Sequence, residues 1–273
     1  VLMKAIISHD VDHITVFEHK NDLIIPKFLI RSLIELKEKK ITCKEYKLRL
    51  NDIFKNKWQN ISELIEFEKR NKIPSTFFVG VSNGKGLSYS INNAAIWIRE
   101  ILEAGFDVGI HGIAFEDYNN IKNEYELFKK MSGLNKIGIR MHYLRNNSET
   151  LNMLSNIGYQ YDTSKYEIKN PYKIGNMWEF PLLMMDGYII EGSYKWQSLN
   201  LENAKESTIK LIEDVQKKDI QYLTILFHDR YFNDSFWTWK EWYIWLIEYL
   251  KKNHIPFISY KEAINKLNNK ENI

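Results

Sequence analysis

Short apolar runs rich in β-branched and aromatic residues alternate in this sequence with longer segments whose apolar positions recur at helical spacing. This alternation is typical of a mainly parallel sheet or barrel with helices packed outside it. The pattern therefore predicts an α/β fold. The candidate strands read KAIISHDVD, STFFVGV, DVGIHG, KIGIRMH, YQYDTS, WEFPLLMMD, YLTILFH and IPFISY.

Helical segments fill most of the gaps between these strands. Residues 21–59 hold more chain than one crossover helix needs, and we interpret them as an inserted helical pair over one end of the barrel. This pair could equally serve as a lid or an oligomer contact. No internal repeat, low-complexity segment or linker interrupts the pattern, so we predict one domain over residues 1–273.

Ionisable side chains gather where the predicted strands end. Because the carboxyl ends of parallel strands open into a common mouth, we expect these side chains to meet. Taken singly, each has an ordinary explanation, since histidines at strand ends are often structural and aspartate is a common turn residue. Their concentration at one edge favours a functional site. The residues are Asp10, Asp12, His111, Arg140, His142, Asp162, His228 and Asp229.

The first predicted strand ends in IISHDVDH, residues 6–13, where two aspartates stand one residue apart. Side chains at this spacing point to the same side of an extended chain, so the carboxylates of Asp10 and Asp12 repel each other unless a cation or a proton stands beside them. Carboxylate and imidazole together suit Zn²⁺ or a similar divalent metal. The sequence therefore predicts a metal site at this strand end.

Taken in order, these segments resemble the polysaccharide deacetylases of the NodB type, carbohydrate esterase family 4. The resemblance rests on Asp-x-Asp after the first strand, STFFV, GIHG, an arginine-containing strand and ILFH, and it runs from Ile6 to about Phe257. RMHYLR, GYQYDTS and EFPLLMMD are similar to a subset of the family associated with bacterial surface-polysaccharide synthesis. The resemblance implies a distorted (β/α)7 barrel that holds one divalent metal, usually zinc, and removes N-acetyl groups from amino sugars.

The resemblance also implies a role for each matching residue. Asp10 matches the general base of the family, and Asp12 matches its metal-binding aspartate. His111 matches the first histidine of the metal motif. Arg140 matches the arginine that pairs with the catalytic aspartate, and His228 matches the general acid.

One position departs from the family pattern, because Phe115 stands where the second metal histidine is expected. The third ligand must then come from elsewhere, or the metal has been lost. We favour His142, since it lies on the same face of its strand as Arg140 and both would point into the barrel mouth. The alternatives are Glu116, His13 and His9.

Further residues would complete a metal-assisted amide hydrolysis. Asp162 would orient His228, and a backbone N–H beside Tyr143 would stabilise the oxyanion. We expect Tyr143, Asp229 and Tyr231 to bind substrate, Tyr231 by stacking on a sugar ring. Arg230, next to Asp229, could also bind substrate. Structural alternatives exist here too, since Asp162 could cap a loop and Asp229 with Arg230 could form a surface pair.

Composition narrows the choice of partners. The chain has 38 basic and 35 acidic residues, and its lysines are spread over helix-like segments, which argues against a nucleic-acid surface. The single Cys43 excludes an intramolecular disulfide, and no apolar run reaches the ~20 residues of a membrane span. The sequence enters a strand at once, without a signal-peptide pattern, so we expect a cytoplasmic protein.

The leading hypothesis is thus a metal-dependent hydrolase that deacetylates an amino sugar of a bacterial surface polysaccharide or its precursor. A second hypothesis keeps the fold and metal but places a different small C–N substrate in the site. A third is a carbohydrate-binding barrel without catalysis, which the missing second histidine would permit.

Overall fold

The apolar pattern folds into alternating strands and helices, and the computed structural model describes residues 3–271. The strands are β1 (Lys4–Val11), β2 (Thr76–Val79), β3 (Asp107–Gly112), β4 (Gly138–Met141), β5 (Tyr161–Asp162), β6 (Tyr172–Ile174), β7 (Met177–Glu179), β8 (Met184–Met185) and β9 (Tyr222–Leu226). The helices are α1 (Ile24–Lys37), α2 (Cys43–Phe54), α3 (Ile61–Asn71), α4 (Ile91–Glu103), α5 (Tyr118–Ser132), α6 (Thr150–Ile157), α7 (Asp186–Ile190), α8 (Leu201–Lys217), α9 (Trp237–Lys252) and α10 (Tyr260–Glu271).

Within residues 3–271, nine strands form a curled sheet in the order β6-β7-β5-β4-β3-β2-β1-β9-β8, which wraps into a half-barrel. Neighbouring strands run parallel, except that β6 and β7 form an antiparallel pair. The carboxyl ends of β1, β3, β4 and β9 therefore meet at one mouth. The predicted α/β fold, a distorted barrel with a helical insertion after the first strand, is confirmed.

The two faces of β1 carry different side chains. Ile7 belongs to the main core between sheet and helices, whereas Ile6 packs in a second, largely aromatic cluster with Phe78. Ser8 and Asp10 share the face of Ile6, because side chains alternate along a strand. Both are buried. The inner face of the half-barrel is thus apolar at its base and becomes polar towards its carboxyl end.

Helices α1 and α2 occupy most of residues 21–59, where the insertion was predicted. Thr42 and Glu45 form a capping box at the start of α2. Arg49 of α2 forms a buried ion pair with Glu35 of α1 and donates to the carbonyl of Ser235 at 2.8 Å. These contacts tie the insertion to the segment that precedes α9. Helix α1 then lies along one side of the barrel mouth.

Three predicted details of the strands were wrong. WEFPLLMMD is not one strand, because its two ends belong to β7 and β8, which lie towards opposite edges of the sheet. IPFISY is not a strand, because Phe257 makes an isolated bridge to Ala5 and Ser259 then caps α10 through Glu262. Strand β6 was not predicted, and it arises from a tight turn at Gly175, whose φ of 58° suits glycine. Among the described residues, no helix is both long and apolar enough to cross a membrane.

Candidate metal centre and active site

A cavity of about 740 Å³ opens at the carboxyl ends of the central strands. Side chains at the carboxyl ends of β1, β3, β4 and β9 line the cavity. Helix α1 borders it with Arg31 and Ile34. Concave sites at this edge of a barrel are where enzymes of such folds bind their substrates. The predicted residues that line the cavity are Asp10, Asp12, His111, His142, Tyr143, His228 and Tyr231.

Three potential ligand atoms lie close to one another in the cavity, one each from Asp12, His111 and His142. Oδ1 of Asp12 lies 3.1 Å from Nε2 of His111 and 3.2 Å from Nδ1 of His142. The two ring nitrogens are 2.9 Å apart. Ligand atoms about 2.0–2.1 Å from a tetrahedral zinc ion would stand roughly 3.3 Å from one another. These three atoms, here called the ligand triangle, therefore have nearly the spacing that such an ion needs.

The other nitrogen of each imidazole indicates where its proton lies. Nδ1 of His111 is 3.0 Å from the carbonyl oxygen of Arg140, and Nε2 of His142 is 3.2 Å from that of Lys85. A carbonyl only accepts hydrogen bonds, so these nitrogens donate, and the opposite nitrogen of each ring is the one left to offer a lone pair to a cation at the ligand triangle. Two lone pairs and a carboxylate at this distance require a cation or a shared proton. The donor set fits a divalent metal such as zinc.

The alternative third ligands lie in other surroundings. Both ring nitrogens of His9 are engaged, at 2.7 Å from the carbonyl of Phe227 and 2.7 Å from Oε1 of Glu68. His9 points to the outer face of β1 because it alternates with Asp10. Nδ1 of His13 lies 2.9 Å from Nε2 of His19. The geometry thus favours His142.

Glu116, the remaining alternative ligand, and Phe115 both lie outside the ligand triangle. Glu116 is exposed and is not a member of the ligand triangle. Phe115, which replaces the expected histidine, packs partly buried against the main core, with the guanidinium of Arg145 5.0 Å from its ring centre.

Asp10 and Arg140 form a buried ion pair beside the ligand triangle. Nη1 of Arg140 donates to Oδ1 of Asp10 at 2.8 Å, and Nη2 donates to Ser8 Oγ at 2.8 Å. Oδ2 of Asp10 faces Nε2 of His111 at 3.9 Å. Burial alone lowers the pKa of Arg140, but Asp10 outweighs it and raises that pKa. One oxygen of Asp10 is therefore held by a cation while the other faces the ligand triangle.

His228 lies beside the Asp12 corner of the ligand triangle and is held by a carboxylate. Nδ1 of His228 is 2.9 Å from Oδ1 of Asp186, whose Oδ2 accepts the backbone N–H of His228 at 2.7 Å. Nε2 of His228 is 3.6 Å from Oδ2 of Asp12. Burial lowers the pKa of His228, but the carboxylate of Asp186 more than compensates, so the pKa stands well above its usual value. The side chain can therefore carry a proton at neutral pH.

Asp162 does not orient His228, and that prediction was wrong. Its carboxylate accepts hydrogen bonds from the hydroxyl of Ser164 at 2.6 Å and from the backbone N–H of Ser164 at 3.0 Å. It also bonds to Glu179, its neighbour across the sheet on β7. Burial raises the pKa of both carboxyl groups. Asp162 thus belongs to a buried carboxyl pair at the far side of β4.

The three predicted substrate-binding residues are placed differently from one another. Tyr143 follows His142, lines the cavity and is 67% exposed. Tyr231 also lines the cavity, and its ring stacks on Trp239 at 4.0 Å. Asp229 is fully buried and accepts the backbone N–H of Asn60 at 3.0 Å. It does not line the cavity, which corrects its assignment to substrate binding and to a surface ion pair.

Asp186 escaped the sequence reasoning, and Arg230 was left there between two roles. Asp186 stands at the end of β8, as Asp10 and Asp12 stand at the end of β1. Its position at a strand end was therefore a signal by which the sequence could have marked it as a site residue. Arg230 lines the cavity and lies over the ring of Trp58, with 4.1 Å between guanidinium and ring centre. The sequence marked it, together with Asp229, as a residue that could bind substrate or form one half of a surface pair.

Comparison with known proteins establishes the fold. A protein described as a polysaccharide deacetylase from Mycobacterium smegmatis superposes with a TM-score of 0.65 at 13% identity, over 99% of this chain and 92% of that one. Another so described, from Pseudomonas aeruginosa, gives a TM-score of 0.60 at 13% identity, over 97% and 89%. The fold is that of polysaccharide deacetylases.

An allantoinase shares this fold as well, with a TM-score of 0.60 at 13% identity over 97% of this chain and 88% of that one. No protein-family model and no curated protein matches the sequence. Similarity at this level of identity concerns the fold, so the chemistry of this chain has to be argued from its own side chains.

Proposed function

We propose that this chain is a metal-dependent hydrolase that removes the N-acetyl group from an amino sugar of a bacterial surface polysaccharide or of its precursor. The ligand triangle is the observation that carries the proposal. The carboxylate of Asp10 lies beside its His111 corner and the imidazole of His228 beside its Asp12 corner, each held by a partner of opposite charge. Such a constellation suits acid–base cleavage of an amide beside a divalent cation.

Asp12, His111 and His142 would hold the metal. A divalent cation bound there would polarise the acetamide carbonyl and lower the pKa of a water molecule. The second nitrogen of each imidazole donates to a backbone carbonyl, which fixes the orientation of both rings.

Asp10 takes the role of general base. Its Oδ2 faces the ligand triangle, where the attacking water would lie, and Arg140 keeps the opposite oxygen in place. Arg140 is itself fixed by Ser8 and by Tyr260, whose hydroxyl is 3.2 Å from Nη2. A base held in this way needs little reorganisation when it accepts the proton.

His228 takes the role of general acid. An amide nitrogen is a poor leaving group until it gains a proton, and the imidazolium of His228 can supply one from Nε2. Asp186 binds the opposite nitrogen, Nδ1, and so keeps Nε2 directed towards the cavity.

The backbone at Tyr143 would stabilise the oxyanion, and the rings of Tyr143 and Tyr231 would contact the sugar. Tyr143 and Leu144 have φ values of 58° and 53°, an uncommon pair of left-handed residues directly after a proposed ligand. Strained backbone of this kind concentrates at binding sites. Cytoplasmic location and zinc as the native metal remain predictions from the sequence.

The test combines metal analysis with product detection. The purified protein should contain close to one equivalent of a divalent metal, and acetate should be released from N-acetylhexosamine oligosaccharides or nucleotide-linked N-acetylhexosamines. A chelator should abolish the release and added zinc should restore it. Allantoin belongs in the panel because an allantoinase shares the fold. Sugar binding without acetate release in the metal-loaded protein would favour the non-catalytic hypothesis and contradict this one.

A further inference from the structure

The guanidinium of Arg230 lines the same cavity as the ligand triangle and has no anionic partner in the described part of the chain. No hydrogen bond or ion pair joins its side chain to another residue of range 3–271, and its Nε is buried without an acceptor. Buried cations are ordinarily paired, because removal from water is costly. An unpaired guanidinium beside a proposed active site therefore needs an explanation.

Other arginines around this cavity are paired. Arg31 forms ion pairs with Glu35 at 2.9 Å and with Glu191 at 2.7 Å. Arg140 pairs with Asp10. Glu35, Glu191 and Asp10 are thus already engaged by other arginines, and Arg230 forms no ion pair within the described residues.

Aromatic rings hold the guanidinium of Arg230 in position. Its centre lies 4.1 Å from the ring centre of Trp58, 4.7 Å from that of Phe28 and 5.3 Å from that of Phe236. The carboxamide of Asn60 donates to the carbonyl of Arg230 at 2.9 Å and anchors its backbone. Ring faces attract the charge, but they do not accept the in-plane N–H bonds as a carboxylate or phosphate does. Packing alone therefore leaves the donors of this side chain unused.

The guanidinium of Arg230 also lies close to the proposed catalytic residues. His228 stands two residues before it, and both line the cavity. Trp58, on which Arg230 lies, stacks on His13 at 5.0 Å, and His13 is the neighbour of Asp12. Burial lowers the pKa of Arg230 to about 10, which leaves it charged at neutral pH.

We propose that Arg230 binds an anionic group of the substrate, a carboxylate or a phosphate, so that the N-acylated sugar is an acidic sugar or a sugar phosphate. This inference rests on the proposed function for the sugar and its amide. The planar fork of arginine matches both anions through paired N–H bonds. The anion would supply the acceptors that Arg230 lacks and would orient the substrate relative to the ligand triangle.

Calorimetric titration tests the inference without relying on turnover. The probes are N-acetylglucosamine, N-acetylglucosamine 1-phosphate and 2-acetamido-2-deoxyglucuronic acid, titrated into the full chain carrying Asp10→Asn. We expect at least one anionic probe to bind about 10- to 100-fold more tightly than the neutral sugar. Preference for the phosphate would identify a sugar phosphate, and preference for the carboxylate an acidic sugar.

Variants show whether Arg230 causes the preference. Arg230→Gln should abolish the preference for the anionic probe. Arg230→Lys keeps a charge against the aromatic rings but loses the planar fork, so it should retain a small part of that preference. Lys27→Gln is the matched control, because it removes an exposed cation that also borders the cavity. This variant should leave the preference for the anionic probe unchanged. Equal affinity for the three probes, or a preference that survives Arg230→Gln, would overturn the inference.

The two proposals fail in different ways. Acetate release from neutral sugars without any anion preference would leave the hydrolase standing and remove the role of Arg230. Anion preference that depends on Arg230, with no acetate released from any probe by the wild-type protein, would support the anion site and contradict the hydrolase.

Discussion

Asp186 holds His228 through both its side chain and its backbone, at 2.9 Å from Nδ1 and 2.7 Å from the amide nitrogen. The two residues are 42 positions apart in the chain. They meet because β8 and β9 are parallel neighbours, with Met185 beside Leu226. The contact fixes the orientation of an imidazole that faces the cavity and raises its pKa.

Replacing Asp186 by asparagine should lower the rate of acetate release by about 10²- to 10⁴-fold, the usual contribution of a general acid. The amide can still accept one hydrogen bond but no longer carries the charge that holds the proton on His228. Steady-state kinetics measures the rate, and nitrogen NMR of His228 reports the loss of the imidazolium. Asp162→Asn is the matched control and should leave that NMR signal unchanged, because Asp162 contacts Ser164 and Glu179 instead.

Loss of a residue that only hydrogen-bonds to a metal ligand typically lowers metal affinity by about 10- to 100-fold. His142→Ala should lower metal affinity by more than this, because it removes a direct ligand. Metal analysis of the purified variant and titration with zinc provide the measurement. Glu116→Gln and His13→Ala are the controls and should retain the metal. Full metal content in His142→Ala, with loss in one control, would transfer the third position to that residue.

Arg140→Met should destabilise the fold by about 3–5 kcal/mol, the usual cost of leaving one member of a buried ion pair without its partner. The carboxylate of Asp10 would lose its cation, and Ser8 would lose a hydrogen bond. Urea unfolding measures the change. Arg99→Met removes an exposed arginine 3.9 Å from Glu103 and should change stability by less than about 1 kcal/mol.

Asp229 should make stability fall as pH rises. Burial raises its pKa to about 7, whereas an unfolded aspartate titrates near 3.9. Between these values the folded state binds a proton that the unfolded state has lost, so the free energy of unfolding decreases with pH, by roughly 4 kcal/mol in total. Above about pH 7 both states are ionised and the full cost is present.

The variant Asp229→Asn should therefore gain stability over the wild type at about pH 8 and match it near pH 4. Urea unfolding of both proteins across this range gives the difference. Asp214→Asn, at an exposed ion pair with Lys217, is the control and should show no such trend. Parallel pH dependences for the wild type and Asp229→Asn would contradict a raised pKa at Asp229.

Much of the candidate site follows from local sequence pattern. The ends of β1, β3, β4 and β9 were recognisable as apolar runs that finish in ionisable residues. Parallel strands bring such ends to one edge, so Asp12, His111 and His142 were expected to meet, and they do. Alternation along β1 also separates Asp10 from His9, which turns outward to Glu68.

Periodicity and strand ends are local properties of the chain, so the sequence alone predicts the α/β fold, the inserted helices and most of the residues that meet at the barrel mouth. Which residues become hydrogen-bond or ion-pair partners across the barrel mouth depends instead on the tertiary structure. Asp186 rather than Asp162 reaches His228 because β8 adjoins β9, whereas β5 lies beyond β4. The unpaired charge of Arg230 likewise depends on which distant carboxylates approach it. Strand order and long-range charge pairing arise from packing of the whole chain, and no local pattern encodes them.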